Sequence, residues 1–147
     1  MTKDLTINID NSILNIRAGC ILNYKDNFLL EYGDNTNHQT IPGGRIKLLE
    51  SSKETIIREL KEELDFNINK TKITKNTVLE NFFKIGNKSV HEIYFIHEYK
   101  LTKQEYEKLK QVKRNQDSNN SSYKFIKKEE IQNTNILPIE LKEIIKN

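Results

Sequence analysis

Six residues at fixed offsets in the first half of the chain can do chemistry together: Gly44, Glu50, Arg58, Glu59, Glu62 and Glu63. Ile56, Ile57, Leu60 and Leu64 recur around the last four at helical spacing, and Ser51 or Ser52 can cap such a helix. With about 100° between successive residues, the aliphatic side chains share one arc while Glu59, Glu62 and Glu63 fill the arc beside it. Carboxylates three and four residues apart repel one another unless solvent or a cation screens them. A hard divalent ion with oxygen ligands is the natural resolution. Held against a phosphate, such an ion neutralises phosphoryl oxygens and orients a water. Glu62 and Glu63 alone would be ordinary on a lysine- and glutamate-rich helix. With the glycine, Glu50 and Arg58 at their offsets, the set points to an enzyme.

Residues 44–66 resemble the Nudix box: a glycine, five residues, a glutamate, seven residues, then Arg-Glu-aliphatic-any-Glu-Glu-any-Gly-aliphatic. Gly44, Glu50, Arg58, Glu59, Leu60, Glu62, Glu63 and Phe66 match, and Asp65 stands in place of the last glycine. That position follows the helix end, where a left-handed backbone suits glycine and is tolerated by aspartate, so a small stability cost with retained activity is expected. Pro42-Gly43 and residues 125–131 also look like the family's, which extends the resemblance over roughly residues 13–145.

The resemblance implies an α/β (α+β) Nudix fold, a mixed central β-sheet sandwiched between helices. It also implies hydrolysis of a phosphoanhydride bond in a nucleoside diphosphate linked to another moiety, with Mg2+ or Mn2+ as cofactor. Carried over, Glu59 and Glu63 ligate metal, Glu62 ligates metal or assists deprotonation of water, and the Gly43 carbonyl completes the shell. Glu50 and Arg58 become an internal ion pair that supports these ligands, and Gly43-Gly44 lets backbone approach a phosphate. Many relatives recruit a further glutamate outside the box, as general base or extra metal ligand. Glu80 and Glu92 are the candidates, with Glu92 preferred as general base.

Arg17, at the head of the 18–22 strand, reads as a substrate-binding residue that reaches a phosphate or base, or as a solvent-exposed strand end. Gln39 replaces the aromatic that many relatives carry three residues before the proline, which gives no base-stacking platform there. A (deoxy)nucleoside triphosphate or related small nucleotide is the expected substrate. ADP-ribose, another nucleotide sugar or an RNA 5′ end are alternatives, and a non-catalytic nucleotide-sensing module is the rival of another class. Relatives are often dimers, so a homodimer is compatible with the resemblance.

These groups have to be placed by strands. Residues 5–9 and 13–17 alternate across Asp10-Asn11, residues 18–23 and 27–31 follow, and Pro42-Gly43-Gly44 excludes helix. Residues 77–85 and 90–101 read as a hairpin about Gly86-Asn87. By alternation Glu92 shares a side with Tyr94 and Ile96, and His91 shares one with Ile93, Phe95 and His97. Residues 102–122 read as a polar insertion with a weak helical pattern around Tyr106 and Leu109. Residues 123–126 then read as a closing strand and 138–145 as an amphipathic helix.

The 147 residues suit a single domain, 1–147, and the formal net charge of +3 is too small to imply a nucleic-acid partner. No charged-then-apolar leader and no bilayer-length apolar run is found, so a cytoplasmic protein is expected. The single cysteine, Cys20, reads as a buried strand thiol, and His91 and His97 as strand residues and not metal ligands. Lysines and an arginine between Lys108 and Lys128 form a solvated basic segment, or a flap that draws in a polyphosphate or an RNA 5′ end.

Overall fold

The computed structural model describes residues 3–146. The alternating N-terminal residues form β1 (Thr6–Ile9), and a turn with Asp10 in the left-handed region (φ 52°) leads into β2 (Ser12–Tyr24). β2 is one strand where the sequence reads as two. Ala18, Cys20, Ile21 and Leu22 in its second half are all buried, so the alternation that marks a half-exposed strand is lost there. A second turn leads to β3 (Asn27–Gly33), followed by the short β4 (Gln39–Thr40) and β5 (Gly43–Arg45). α1 (Ser52–Leu64) comes next, started by Ser51, whose hydroxyl accepts the Glu54 N–H at 3.1 Å.

β6 (Thr74–Ile85) and β7 (Lys88–Lys100) form the expected hairpin around Gly86, which takes the positive φ of 60° that the turn needs. The polar insertion contains α2 (Lys103–Leu109), closed at its start by reciprocal bonds between Thr102 and Glu105. β8 (Ser121–Lys127) runs directly into α3 (Lys128–Ile131), a single turn too short to show periodicity in sequence. α4 (Leu141–Lys146) begins three residues later than the pattern suggests, because residues 138–141 form a turn closed by Leu141 N–H onto the Pro138 carbonyl at 3.1 Å.

Among the described residues the eight strands make one mixed sheet with β2 at its centre. β7 lies parallel along one edge of β2 from Ser12 to Asn23, and β6 pairs antiparallel outside it. β1, β5 and β3 share the other edge of β2 in turn, and β3 carries β4 and β8. Ile56, Leu60 and Leu64 of α1 pack with Ala18, Cys20, Leu22, Leu29 and Tyr99 on one sheet face. Ile131, Leu141 and Ile145 of α3 and α4 pack with Ile21, Leu30 and Ile96 on the other, which gives the expected sandwich. Each such leucine or isoleucine stabilises by about 1.5–3 kcal/mol when fully buried.

Cys20 is fully buried, and burial pushes its thiol pKa well up, as suits an inert core residue. His97 is also buried and tethers the start of α1: one ring nitrogen meets the Lys75 carbonyl and the other the Ser52 hydroxyl, each at 2.8 Å. Burial lowers its pKa, which favours the neutral ring that can donate to the carbonyl and accept from the hydroxyl. No helix among the described residues is long and apolar enough to cross a membrane.

Candidate active site

β5 crosses β2 with Gly43 opposite Gly19 and Gly44 opposite Ala18, which brings the glycine strap against α1. A Cβ on Gly44 would lie 2.8 Å from Oε2 of Glu59 and closer still to its Cδ and Oε1, so the missing side chain makes room for that carboxylate. Arg58 gathers the surrounding acids. Its Nε and Nη2 donate to the two oxygens of Glu50 at 2.8 and 3.0 Å. Nη1 donates to Glu59 at 2.8 Å and to Glu62 at 3.4 Å, and Nη2 also reaches the Arg45 carbonyl at 3.1 Å.

Glu50 further accepts from the Thr55 hydroxyl at 2.6 Å and the Lys47 N–H at 3.2 Å. Hydrogen bonding to Arg58 above all holds its pKa down to about 2. The loop before the helix, the strap and the helix are thereby joined through one planar guanidinium.

Glu59 is largely buried, and burial raises its pKa although Arg58 pulls the other way. Glu62 is the more exposed carboxylate. Glu63 is 7% exposed, and burial, followed by the charges of Glu31 and Glu59, pushes its pKa up to about 8. Its Oε2 accepts from Asn115 Nδ2 at 2.7 Å, and its Oε1 is buried without a partner. The Gln116 N–H closes on the Glu63 carbonyl at 2.8 Å, so the loop after α2 holds both backbone and side chain of this residue. Asp65 ends the helix in the left-handed conformation expected of it (φ 50°, ψ 39°), and its carboxylate takes the Lys61 ammonium at 2.6 Å.

Glu31 and Asn115 were invisible to sequence reasoning. Glu31 accepts from the Ser121 hydroxyl at 2.6 Å, the Tyr123 hydroxyl at 3.3 Å and Asn115 Nδ2 at 3.5 Å. Alternation groups Glu31 with Leu29, and only the structure shows that Leu29 packs beneath α1, which puts Glu31 on that face. Asn115 lay in a polar run with nothing to distinguish it from its neighbours.

Arg17 and Glu92 are placed on the face of the sheet away from α1, with Tyr94. Glu92 is buried and held by Asn15 at 2.7 Å and Asn81 at 3.4 Å. It is not brought together with the helix glutamates, so the geometry gives no support to the general-base role expected of it. Glu80 pairs with His91 at 3.2 Å near the exposed Phe82. Arg17 lies over the Tyr94 ring, 5.4 Å from its centroid, beside the strap, and its charge still acts to lower the pKa of both Glu59 and Glu63.

Arg17, Glu92 and Tyr94 line a cleft of about 450 Å³ with Thr40, Asn81 and Phe83. In the basic segment, Arg114 is taken up by Asp34 at 2.6 and 2.7 Å, and Lys108 donates to the Asp65 carbonyl at 3.2 Å.

A family model for the NUDIX domain matches residues 14–147. The chain belongs to the Nudix family. A search of curated proteins returned no significant match. Among solved structures, the MutT protein from Methanosarcina mazei Go1 is similar at 20% identity, covering 95% of this chain and 94% of that one with a TM-score of 0.61. A C. elegans Ap4A hydrolase in a binary complex is similar at 18% identity (90% and 93% covered, TM-score 0.59), and a MutT NUDIX hydrolase from Burkholderia pseudomallei at 15% (79% and 84%, 0.57). At these identities the likeness is one of fold.

As a Nudix protein the chain is an enzyme of the pyrophosphohydrolase type, acting on acid anhydrides in nucleotide-linked substrates, and Nudix enzymes generally use divalent metals. The Nudix helix offers donors of the right kind for such an ion: oxygen only, clustered, and with the Glu63 Oε1 buried and unpartnered. Arg58 meanwhile engages Glu59 and Glu62, and among the described residues no three acidic, histidine or cysteine side chains converge closely enough to enclose an ion.

Proposed function

We propose that this protein hydrolyses a phosphoanhydride bond in a nucleoside triphosphate or related small nucleotide. Mg2+, or Mn2+ in its place, would be held by Glu59, Glu62, Glu63 and the Gly43 carbonyl. The observation that carries the reading is Glu63: a nearly buried carboxylate with one oxygen unpartnered, beside Glu59, at the end of a helix fixed at both termini. A buried carboxylate without a full set of donors is costly unless a cation completes it.

The metal would neutralise charge on the phosphoryl oxygens and lower the pKa of the attacking water. The chain's own groups do the rest. Arg58 orients Glu59 and Glu62 and keeps Glu50 ionised, which fixes the entry to the helix. Gly43 and Gly44 admit a phosphate to the strap without an intervening side chain. Arg17, at the border of strap and cleft, supplies positive charge to the phosphate chain, and the cleft beyond it takes the nucleoside.

MutT and Ap4A hydrolase folds among the similar structures accord with a small nucleotide, although the fold alone does not choose it. The test is a panel of nucleotides with Mg2+, assayed for phosphate and pyrophosphate release, with Glu63→Gln as control. Turnover abolished in the variant supports the reading. Tight nucleotide binding with no turnover of any substrate would instead make the protein a sensor.

A further inference from the structure

We propose that Glu31, on β3, is a further carboxylate ligand of the divalent ion that Glu63 binds, an inference that rests on the metal-dependent reading above. Glu31 and Glu63 come from segments far apart in sequence, yet Asn115 Nδ2 reaches both, at 3.5 and 2.7 Å. Neither acid has a cationic partner among the described residues. The side chains that donate to them are neutral: Asn115, the Ser121 hydroxyl and the Tyr123 hydroxyl.

The three donors to Glu31 all converge on its Oε2, which leaves Oε1 without a protein donor among the described residues. Independently, Glu63 Oε1 is buried and unpartnered. Two carboxylates, each with an oxygen that no protein donor meets, are thus joined through one amide, and neither forms an ion pair among the described residues. An amide dipole compensates such a pair weakly, whereas a hard divalent ion compensates it fully and takes its ligands from carboxylate oxygens. Glu92, which the family habit of recruiting an outside glutamate would favour, stands on the other side of the sheet. Glu31 stands on the side of the helix.

A purely structural role for Glu31, tying β8 to β3 through Ser121 and Tyr123, makes different predictions. Glu31→Gln keeps an acceptor oxygen and the side-chain shape while removing the charge. Mn2+ binding, followed by calorimetry and by the spin-resonance signal of the ion, should weaken at least about tenfold in this variant. Ser121→Ala removes a hydrogen bond that orients Glu31 but no charge, and should weaken Mn2+ binding by less than Glu31→Gln does. Unchanged Mn2+ affinity in Glu31→Gln overturns the proposal, and so does an equal loss in Ser121→Ala.

If Glu31→Gln does not fold, Glu31→Asp carries the test, and wild-type affinity in it is equally adverse. Failure of the broader reading looks different: the wild-type protein would then bind no Mn2+ at all. Loss of binding in Glu63→Gln with none in Glu31→Gln sinks only the present inference.

Discussion

Replacing Gly44 by alanine should separate catalysis from stability. The backbone of Gly44 is not in the left-handed region, so alanine meets no conformational objection there and even restricts the unfolded chain slightly. The nearest atoms to the added Cβ are those of the Glu59 carboxylate, with Oε2 at 2.8 Å and Cδ and Oε1 nearer. Non-bonded heavy atoms settle at about 3.5–4.0 Å, so the carboxylate must retreat by about 1 Å. It sits at the end of a rotatable side chain, and the fold can release it at a cost of roughly 1 kcal/mol or less, within the range of ordinary substitutions.

A displacement of that size in a group that positions reacting atoms costs about 10²-fold in rate. The expected result is kcat/KM with Mg2+ reduced about 10²-fold, weaker Mn2+ binding, and a urea midpoint close to that of wild type. Gly43→Ala is the contrast. Its Cβ would fall on the Ala18 carbonyl oxygen and 2.7 Å from the Gly19 Cα, both backbone, so several kcal/mol of stability should be lost. Wild-type activity in Gly44→Ala, or unfolding as severe as in Gly43→Ala, would refute the reasoning.

Three further outcomes follow from the charges and the helix end. Glu50→Gln should cost about 2 kcal/mol by denaturant unfolding, the scale of hydrogen bonds to a charged group. Because the folded pKa of Glu50 is depressed to about 2, its contribution is present above the ordinary carboxylate value and lost as pH falls towards 2. The variant should therefore show a shallower acid limb, and an unchanged limb would count against the Arg58 link. Glu63 has the opposite sign: with its pKa raised to about 8, the metal-free protein should lose stability as pH rises from about 4.5 to 8. Glu63→Gln should flatten that slope, and parallel stability curves for the two proteins would contradict it. Asp65→Gly should raise the melting temperature slightly through relief of the left-handed backbone, with kcat unchanged; a lower melting temperature would show that the Lys61 pair outweighs it.

The helix and its acids could be read directly because they are local. Aliphatic spacing fixed which residues face the core, Ser51 marked the start, and Asp65 adopts the backbone that its place in the box requires. The Glu50–Arg58 pair was likewise within reach, eight residues apart on adjoining elements.

Glu92 shows where such reading ends. Alternation correctly groups it with Tyr94 and Ile96, but alternation gives only relative phase, and nothing along the strand says which face α1 will cover. The Glu31–Asn115–Glu63 cluster failed for another reason. Its hydrogen bonds span 52 and 84 positions in sequence, and the meeting depends on how the loop after α2 folds back, which no periodicity encodes. α3 escaped because one turn of helix has no period to detect.

The tethers at the two ends of α1 make the helix a ruler. His97 grips Ser52 at its start, and Asn115 with Gln116 grips Glu63 near its end. These anchors belong to a strand and a loop that the helix does not itself position, so the span between them is set from outside, at roughly 1.5 Å per residue. Substitutions along the exposed side of α1 leave that span alone. One inserted residue would lengthen it and swing everything beyond the insertion by about 100°, carrying the carboxylates off the strap. Descendants of this chain are therefore free to drift only at the exposed positions of α1 that serve neither core nor site, and its residue count is locked.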